Sequence, residues 1–231
     1  MKPTLHRVRL DAVPARPWRN GGGLTRELLV WPPPAAGAGT DADTTTGTAA
    51  DARPDPLTIH DSGPDHARWQ LRLSVADITR DGPFSSFPGI TRHFAVLEGA
   101  GVRLHWPDRQ TLLTPQDAPL CFDGADAPDA QLPAGPTRDL NLMVRGHAPC
   151  HGADALARSG LRRARTGPLP AAARWRACYS HGGATLQLGE VPLILAAGEL
   201  LWSLDDPRPW RLSHPAAATF WLWATPEETD R

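Results

Sequence analysis

The chain reads as an all-β protein made of two similar blocks of short strands, a two-lobed barrel or sandwich. Three observations carry this. Twenty-five prolines and 21 glycines among 231 residues punctuate the chain too often for long helices and suit strands joined by turns. Where apolar residues cluster they alternate with period two, the signature of a strand with one buried face. Nine tryptophans stand against five phenylalanines and one tyrosine, a balance suited to sheet faces where a large ring packs and its N–H finds an acceptor. A chain of this length can bury a substantial core as one large or two small domains. The two blocks are read as 1–150 and 151–231, separated by a connector.

Taken in order, Leu5 to Val13 alternates weakly and ends before Pro14, a short strand. Next comes Trp18-Arg19-Asn20-Gly21-Gly22-Gly23. Three consecutive glycines have a high ordering entropy, so they serve either a tight turn or a close backbone approach to a ligand. A phosphate loop is excluded, because no Gly-Lys-Ser/Thr follows and Trp31-Pro32 ends the Leu24 to Trp31 strand almost at once. Residues 32–56 contain no large apolar side chain and read as a flexible surface insertion; Leu57 to Ile59 adds a short strand.

The stretch from Trp69 to Val102 organises the chain. Trp69, Leu71, Leu73 and Val75 alternate with Gln70, Arg72 and Ser74, so Arg72 and Ser74 point the same way, opposite an apolar face. The Gly- and Pro-rich loop that follows carries Phe84 and Phe87, rings expected to pin it to the body. His93 to Leu97 and Val102 to Trp106 then read as a hairpin around Glu98-Gly99-Ala100-Gly101. Short strands continue near Leu112, Leu120 to Phe122 and Asp139 to Val144, where Leu140, Leu142 and Val144 oppose Asp139, Asn141 and Met143. From His147 to Ala173 the pattern breaks, with Arg158, Arg162, Arg163 and Arg165 close together on what reads as a solvated connector. The second block follows as Ala184 to Leu188, Val191 to Leu195, Leu200 to Leu204, Trp210 to Leu212 and Thr219 to Trp223, with Trp221 and Trp223 on one face.

A formal net charge of −1 gives no general pull toward nucleic acid or an anionic membrane. The start has no apolar run of signal-peptide length, and no stretch approaches the roughly 18 residues of a spanning helix, so the expected location is cytoplasmic, with no membrane partner. Cys121, Cys150 and Cys178 are widely spaced and form no Cys-x-x-Cys pair, which suggests neither a disulfide framework nor a zinc site. None of the nine histidines forms His-x-His, and His147 and His151 flank Pro149, so no metal is expected. Gly-x-Ser-x-Gly is absent. Asp77, Asp81 and Glu98 flank the central loop and are the carboxylates acid–base chemistry would use. What remains is a set suited to an anion: Asn20, Arg26, Arg72, Ser74, Arg92 and Asn141, since arginine offers a planar fork for carboxylate and amides and hydroxyls complete such a site.

At these residues the chain resembles the HutD/Ves family. The matching stretches are Pro17 to Gly23, Trp69 to Asp77 with Asp81-Gly82-Pro83-Phe84-Ser85 and Phe87-Pro88-Gly89-Ile90, Leu97-Glu98-Gly99, and Gly135-Pro136 with Asp139 to Met143. The resemblance implies a double-cupin fold (bicupin, RmlC-like jelly roll) and a role in restraining histidine utilisation by binding a small intermediate of that pathway. Joined to the residue reading, it gives a candidate ligand-binding set of Trp18, Asn20, Gly22, Arg26, Arg72, Ser74, Phe84, Phe87, Arg92, Asn141 and Met143. Where the family pattern is expected to carry Lys, Thr and Asp, this chain has Arg19, Leu24 and Thr91; a threonine replacing a pocket carboxylate at 91 implies an altered ligand preference. The function this implies is a cytoplasmic, metal-free and cofactor-free protein binding an acidic metabolite such as N-formyl-L-glutamate or urocanate. The alternative is a metal-independent isomerase or hydrolase acting on a small carboxylic acid. A nucleic-acid partner for the arginine cluster is not expected, and exposed sheet edges admit a homodimer.

Overall fold

In the computed structural model the described residues are 4–32, 69–146, 158–169, 173–216 and 218–225. The expected insertion beyond Pro32, the strand at Leu57 to Ile59, and His147, Cys150 and His151 lie outside them. The first strands are β1 (His6–Arg9), β2 (Arg16–Pro17), β3 (Gly23–Trp31), β4 (Leu71–Ile78), β5 (Gly82–Pro83), β6 (Ile90–Glu98), β7 (Val102–His105), β8 (Gln110–Leu113), β9 (Leu120–Asp123), β10 (Asp129–Gln131) and β11 (Thr137–Arg145). The others are β12 (Ser159–Arg163), β13 (Gly167–Pro168), β14 (Trp175–Ser180), β15 (Ala184–Leu188), β16 (Val191–Leu195), β17 (Glu199–Leu204), β18 (Trp210–Pro215) and β19 (Thr219–Ala224). No described helix is long and apolar enough to cross a membrane.

The strands form four antiparallel sheets, two per lobe. The N-terminal lobe has a six-stranded sheet, β2-β3-β4-β11-β6-β9, and a four-stranded one, β5-β10-β7-β8. The C-terminal lobe has a five-stranded sheet, β1-β17-β14-β19-β12, and a four-stranded one, β13-β18-β15-β16. The two large sheets meet in the middle. Leu71, Leu73, Val75, Leu140 and Leu142 from one pack with Trp175, Tyr179, Leu200, Phe220 and Leu222 from the other in a single buried cluster. Each large sheet thus buries both faces, one against the other lobe and one inside its own barrel, which explains why its strands run apolar on one side and mixed on the other.

Inside the N-terminal barrel Ile78, Phe94, Val96, Leu104, Trp106 and Phe122 pack together, and Trp69, Ile90 and Met143 form a smaller cluster. The C-terminal barrel is filled by Cys178, Leu186, Leu201, Trp210, Trp221 and Trp223. Trp69 sits apart from the leucines with which its spacing grouped it, because the strand begins only at Leu71.

Several expectations are corrected. The hairpin at Glu98 to Gly101 does not form: β6 pairs with β11 and β9, while β7 pairs with β8 and β10 in the other sheet. The intervening glycines, with φ of +94° at Gly99 and +102° at Gly101, instead carry the chain across from one sheet to the other. Strand β1 does not stay with the first block; it pairs with β17 of the C-terminal lobe, and His6 stacks on Trp202 with ring centroids 4.0 Å apart. The lobes are therefore laced through the N-terminus. The arginine cluster is in part a strand rather than a connector: Ser159–Arg163 pairs with β19 and Arg163 lies over the Phe220 ring, while Arg158, Arg162 and Arg165 are exposed. Cys121 takes part in a disulfide and Cys178 is free and buried; separation along the chain says little about which cysteines the strands bring near one another.

Candidate functional site

The inward face of the N-terminal six-stranded sheet is a grid of cross-strand rows. One end row is Thr25, Ala76, Asp139 and Val96. The middle row is Glu27, Ser74, Asn141, Phe94 and Leu120. The third is Val30, Arg72, Met143, Arg92 and Phe122. An irregularity in β3 between Glu27 and Leu29 shapes this grid. The extra residue, Leu28, joins the core between the lobes, and Glu27 keeps its inward direction although the strand leaves strict alternation.

Solvent reaches this face unevenly. Leu140 and Leu142 are fully buried, whereas Asn141 between them is half-buried, as are Glu27 and Arg72. Arg92 is 4% exposed. Its guanidinium lies 4.9 Å from the centroid of Phe84, 5.2 Å from Phe122 and 5.7 Å from Phe87, and it donates a long hydrogen bond of 3.3 Å to the Ser85 carbonyl. The loop rings therefore pin the loop and build a cage for a cation. Burial, and then the charge of Arg72, pushes the Arg92 guanidinium down to about 9; at neutral pH it stays charged.

Charge inside the barrel does not balance. Arg72 meets Glu27 at 2.7 Å, but Glu27 is shared with Arg16 at 3.3 Å. Among the described residues Arg92 has no carboxylate partner, and its Nε lacks a hydrogen-bond partner, as does Asn141 Oδ1. A buried cation without a counter-ion is costly, and an incoming carboxylate would offset that cost with charge-assisted hydrogen bonds.

Of the candidate residues, Arg72, Ser74, Arg92, Asn141, Met143, Phe84 and Phe87 come together here. Trp18 stands at the far end, donating its indole N–H to Thr25 Oγ1 at 2.7 Å. Asn20 and Gly22 belong to the turn: Asn20 Oδ1 accepts the Gly22 N–H at 2.9 Å, and the Gly22 carbonyl accepts the Thr79 N–H at 2.9 Å. At Gly23 an added Cβ would lie 2.4 Å from the Asp77 carbonyl, so close packing of two strands requires that glycine. Two positions point away from the barrel. Arg26 is on the opposite face, bound to Asp77 at 2.9 Å, because it neighbours Val75 rather than Ser74. Thr91, on the face opposite Arg92's, donates to the Gly146 carbonyl at 2.8 Å.

The three carboxylates named for acid–base work are engaged elsewhere. Burial raises the Asp77 carboxyl, but hydrogen bonds from Arg138 and Arg26 outweigh it and hold it below the usual range. Asp81 accepts the Leu132 N–H, and Glu98 meets Arg138 and, across the lobes, His181 at 2.5 Å. Among the described residues no three or more His, Cys, Asp or Glu gather where a metal could be held. The inward donors of the barrel, guanidinium, amide and hydroxyl with one ion-paired carboxylate, do not fit a metal ion. Residue-level reading put Asp139 on the polar face of its strand with Asn141 but left it out of the candidate set, and it missed Glu27, which the irregularity in β3 hid.

A family model described as HutD matches residues 55–220. The chain is similar to an uncharacterized 21.2 kDa protein in the hutC 3′ region of Pseudomonas putida, 32% identical over 142 residues covering 60% of this chain and 57% of that protein. It is also similar to protein Ves of Escherichia fergusonii, 28% identical over 134 residues, 58% of this chain and 54% of that one. The matches span little more than half the length of these curated relatives. Among solved structures, HutD from Pseudomonas fluorescens aligns with a TM-score of 0.66 at 22% identity, over 97% of this chain and 100% of that one. Protein YlbA of Escherichia coli aligns at 0.60 with 8% identity, over 99% and 93%. The architecture is that of a double cupin.

Proposed function

The chain belongs to the HutD family, and from that premise we propose that it is a small-molecule-binding protein that holds an acidic intermediate of histidine degradation, such as N-formyl-L-glutamate or urocanate, and so modulates histidine utilisation. One observation carries the reading: Arg72 and Arg92 share a row inside the N-terminal barrel, and among the described residues the carboxylate that meets this pair is Glu27 of the next row, which also serves Arg16. The surplus positive charge, walled by Phe84, Phe87 and Phe122, suits one carboxylate of a small acid. An enzymatic reading fits less well, since Asp77, Asp81 and Glu98 all lie off the barrel face and are engaged in other contacts. Isothermal titration of purified protein with N-formyl-L-glutamate, urocanate and glutamate, wild type against Arg72→Ala, tests it. Removing a hydrogen bond to a charged group should weaken binding by about 1.5 to 3 kcal/mol. Equal affinity in the two proteins, or no binding of any of these acids by wild type, would overturn the reading.

A further inference from the structure

Among the described residues the one donor near the buried acid Asp139 is the Thr137 hydroxyl. Asp139 lies two residues from Asn141 on β11, on the same inward face and about 7 Å along the strand, between Ala76 and Val96. It is 0% exposed, and among the described residues its Oδ2 has no hydrogen-bond partner. Its Oδ1 lies 3.5 Å from Thr137 Oγ1. A hydroxyl has only one hydrogen, however, and Thr137 directs its own to the Glu98 carbonyl at 2.8 Å. The oxygen of Thr137 can therefore accept from Asp139 but has nothing left to give it.

The charged groups on the packed elements are committed as well. On β4 Asp77 sits between Arg26 of β3 and Arg138 of β11; on β6 Glu98 meets Arg138 and His181; on β3 Glu27 meets Arg16 and Arg72. Among the described residues no cation is left for Asp139. Burial above all, with the Asp77 charge adding to it, pushes its carboxyl well above the ordinary range. The three rows of the grid thus each present one unpartnered polar atom: Arg92 Nε, Asn141 Oδ1 and Asp139 Oδ2.

Resting on the acid-binding reading above, we propose that Asp139 is the specificity-determining residue of this barrel, a protonated carboxylic acid that donates a hydrogen bond to an uncharged carbonyl oxygen at the end of the ligand remote from Arg92. The site then selects acids with a carboxylate at one end and a neutral carbonyl at the other over simple carboxylates, and binding weakens at alkaline pH as the donor proton is lost.

Two measurements decide it. Infrared difference spectra of wild type against Asp139→Asn at pH 7 should show the band of a protonated carboxyl; its absence overturns the proposal whether or not any probe binds. Calorimetry with N-formyl-L-glutamate and with propionate gives the second readout. Asp139→Leu should weaken N-formyl-L-glutamate about tenfold or more and spare propionate, while Asp139→Asn, which keeps a neutral donor, should stay within about threefold of wild type at pH 7 and lose the alkaline decline. Arg72→Ala should weaken both probes. Equal loss of both probes in Asp139→Leu would make Asp139 a structural residue only, and loss of neither would remove it from the site; unchanged binding in Arg72→Ala would instead defeat the acid-binding reading.

Discussion

The two barrels share an architecture and differ in what fills them. On the inward face of the N-terminal large sheet the middle strands carry Arg72, Ser74, Asn141 and Arg92. The corresponding face of the C-terminal large sheet carries Leu201, Cys178 and Trp221 in one row, and Trp223 joins them in the barrel. Trp223 lies so close over β12 that a Cβ at Gly160 would be 2.1 Å from its ring; the glycine lets the indole fill the space. Charges in the C-terminal lobe are matched: Asp206, fully buried, accepts from Arg208 at 2.8 Å and from the Trp210 indole at 3.1 Å, and Glu199 accepts from Arg7 at 2.7 Å. One barrel is packed for stability. The other keeps a caged cation, Arg92, without a carboxylate partner among the described residues, an arrangement that opposes folding; the C-terminal barrel leaves unpartnered only a neutral group, the Trp221 indole N–H.

The sharpest way to break this contrast is to damage each barrel and compare what is lost. Trp223→Ala should cost about 3 to 5 kcal/mol of stability through the cavity it leaves, measured by urea unfolding, while the affinity of the folded protein for N-formyl-L-glutamate stays near wild type. A large loss of affinity at equal stability would mean the C-terminal barrel is part of the site. The seam between the lobes should respond to acid. His93, hydrogen-bonded to Ser159 across the lobes at 3.0 Å, is pushed by burial down to about 4. Below the ordinary histidine value of about 6.5 the unfolded chain binds the proton and the folded one does not, so stability falls from about pH 6.5 to pH 4, by roughly 3 kcal/mol. His93→Gln should flatten that part of the pH–stability curve; an unchanged curve would refute the assignment.

Smaller effects separate site from scaffold. Arg72→Ala should change unfolding free energy far less than Trp223→Ala does, because Glu27 keeps Arg16 as a partner. Asp139→Asn should stabilise the unliganded protein at neutral pH. With the folded carboxyl raised, the native state holds a proton the unfolded chain has lost, so wild-type stability declines as pH rises through and above the ordinary carboxylate range. An amide at 139 removes the decline, and a thermal midpoint lower than wild type at pH 8 would contradict it.

Much of this was legible in residue order because a pleated strand sends successive side chains to opposite faces whatever it pairs with. Arg72 and Ser74 opposite Leu71 and Leu73, Asn141 opposite Leu140 and Leu142, and Trp221 with Trp223 all follow from that local rule; the pinning of the loop by Phe84 and Phe87 follows instead from the burial of their rings. Partners are another matter. That β6 and β7 enter different sheets, that β1 joins the far lobe, that Cys121 is in a disulfide, and that Arg26 turns outward to Asp77 while Glu27 turns inward depend on contacts among residues far apart in the chain. The amino-acid sequence by itself determined which side chains share a face, because the pleat is set by neighbouring backbone dihedrals. Only the tertiary structure decided which faces meet, and hence where the surplus charge lies, because pairing and register are chosen by the burial of whole surfaces.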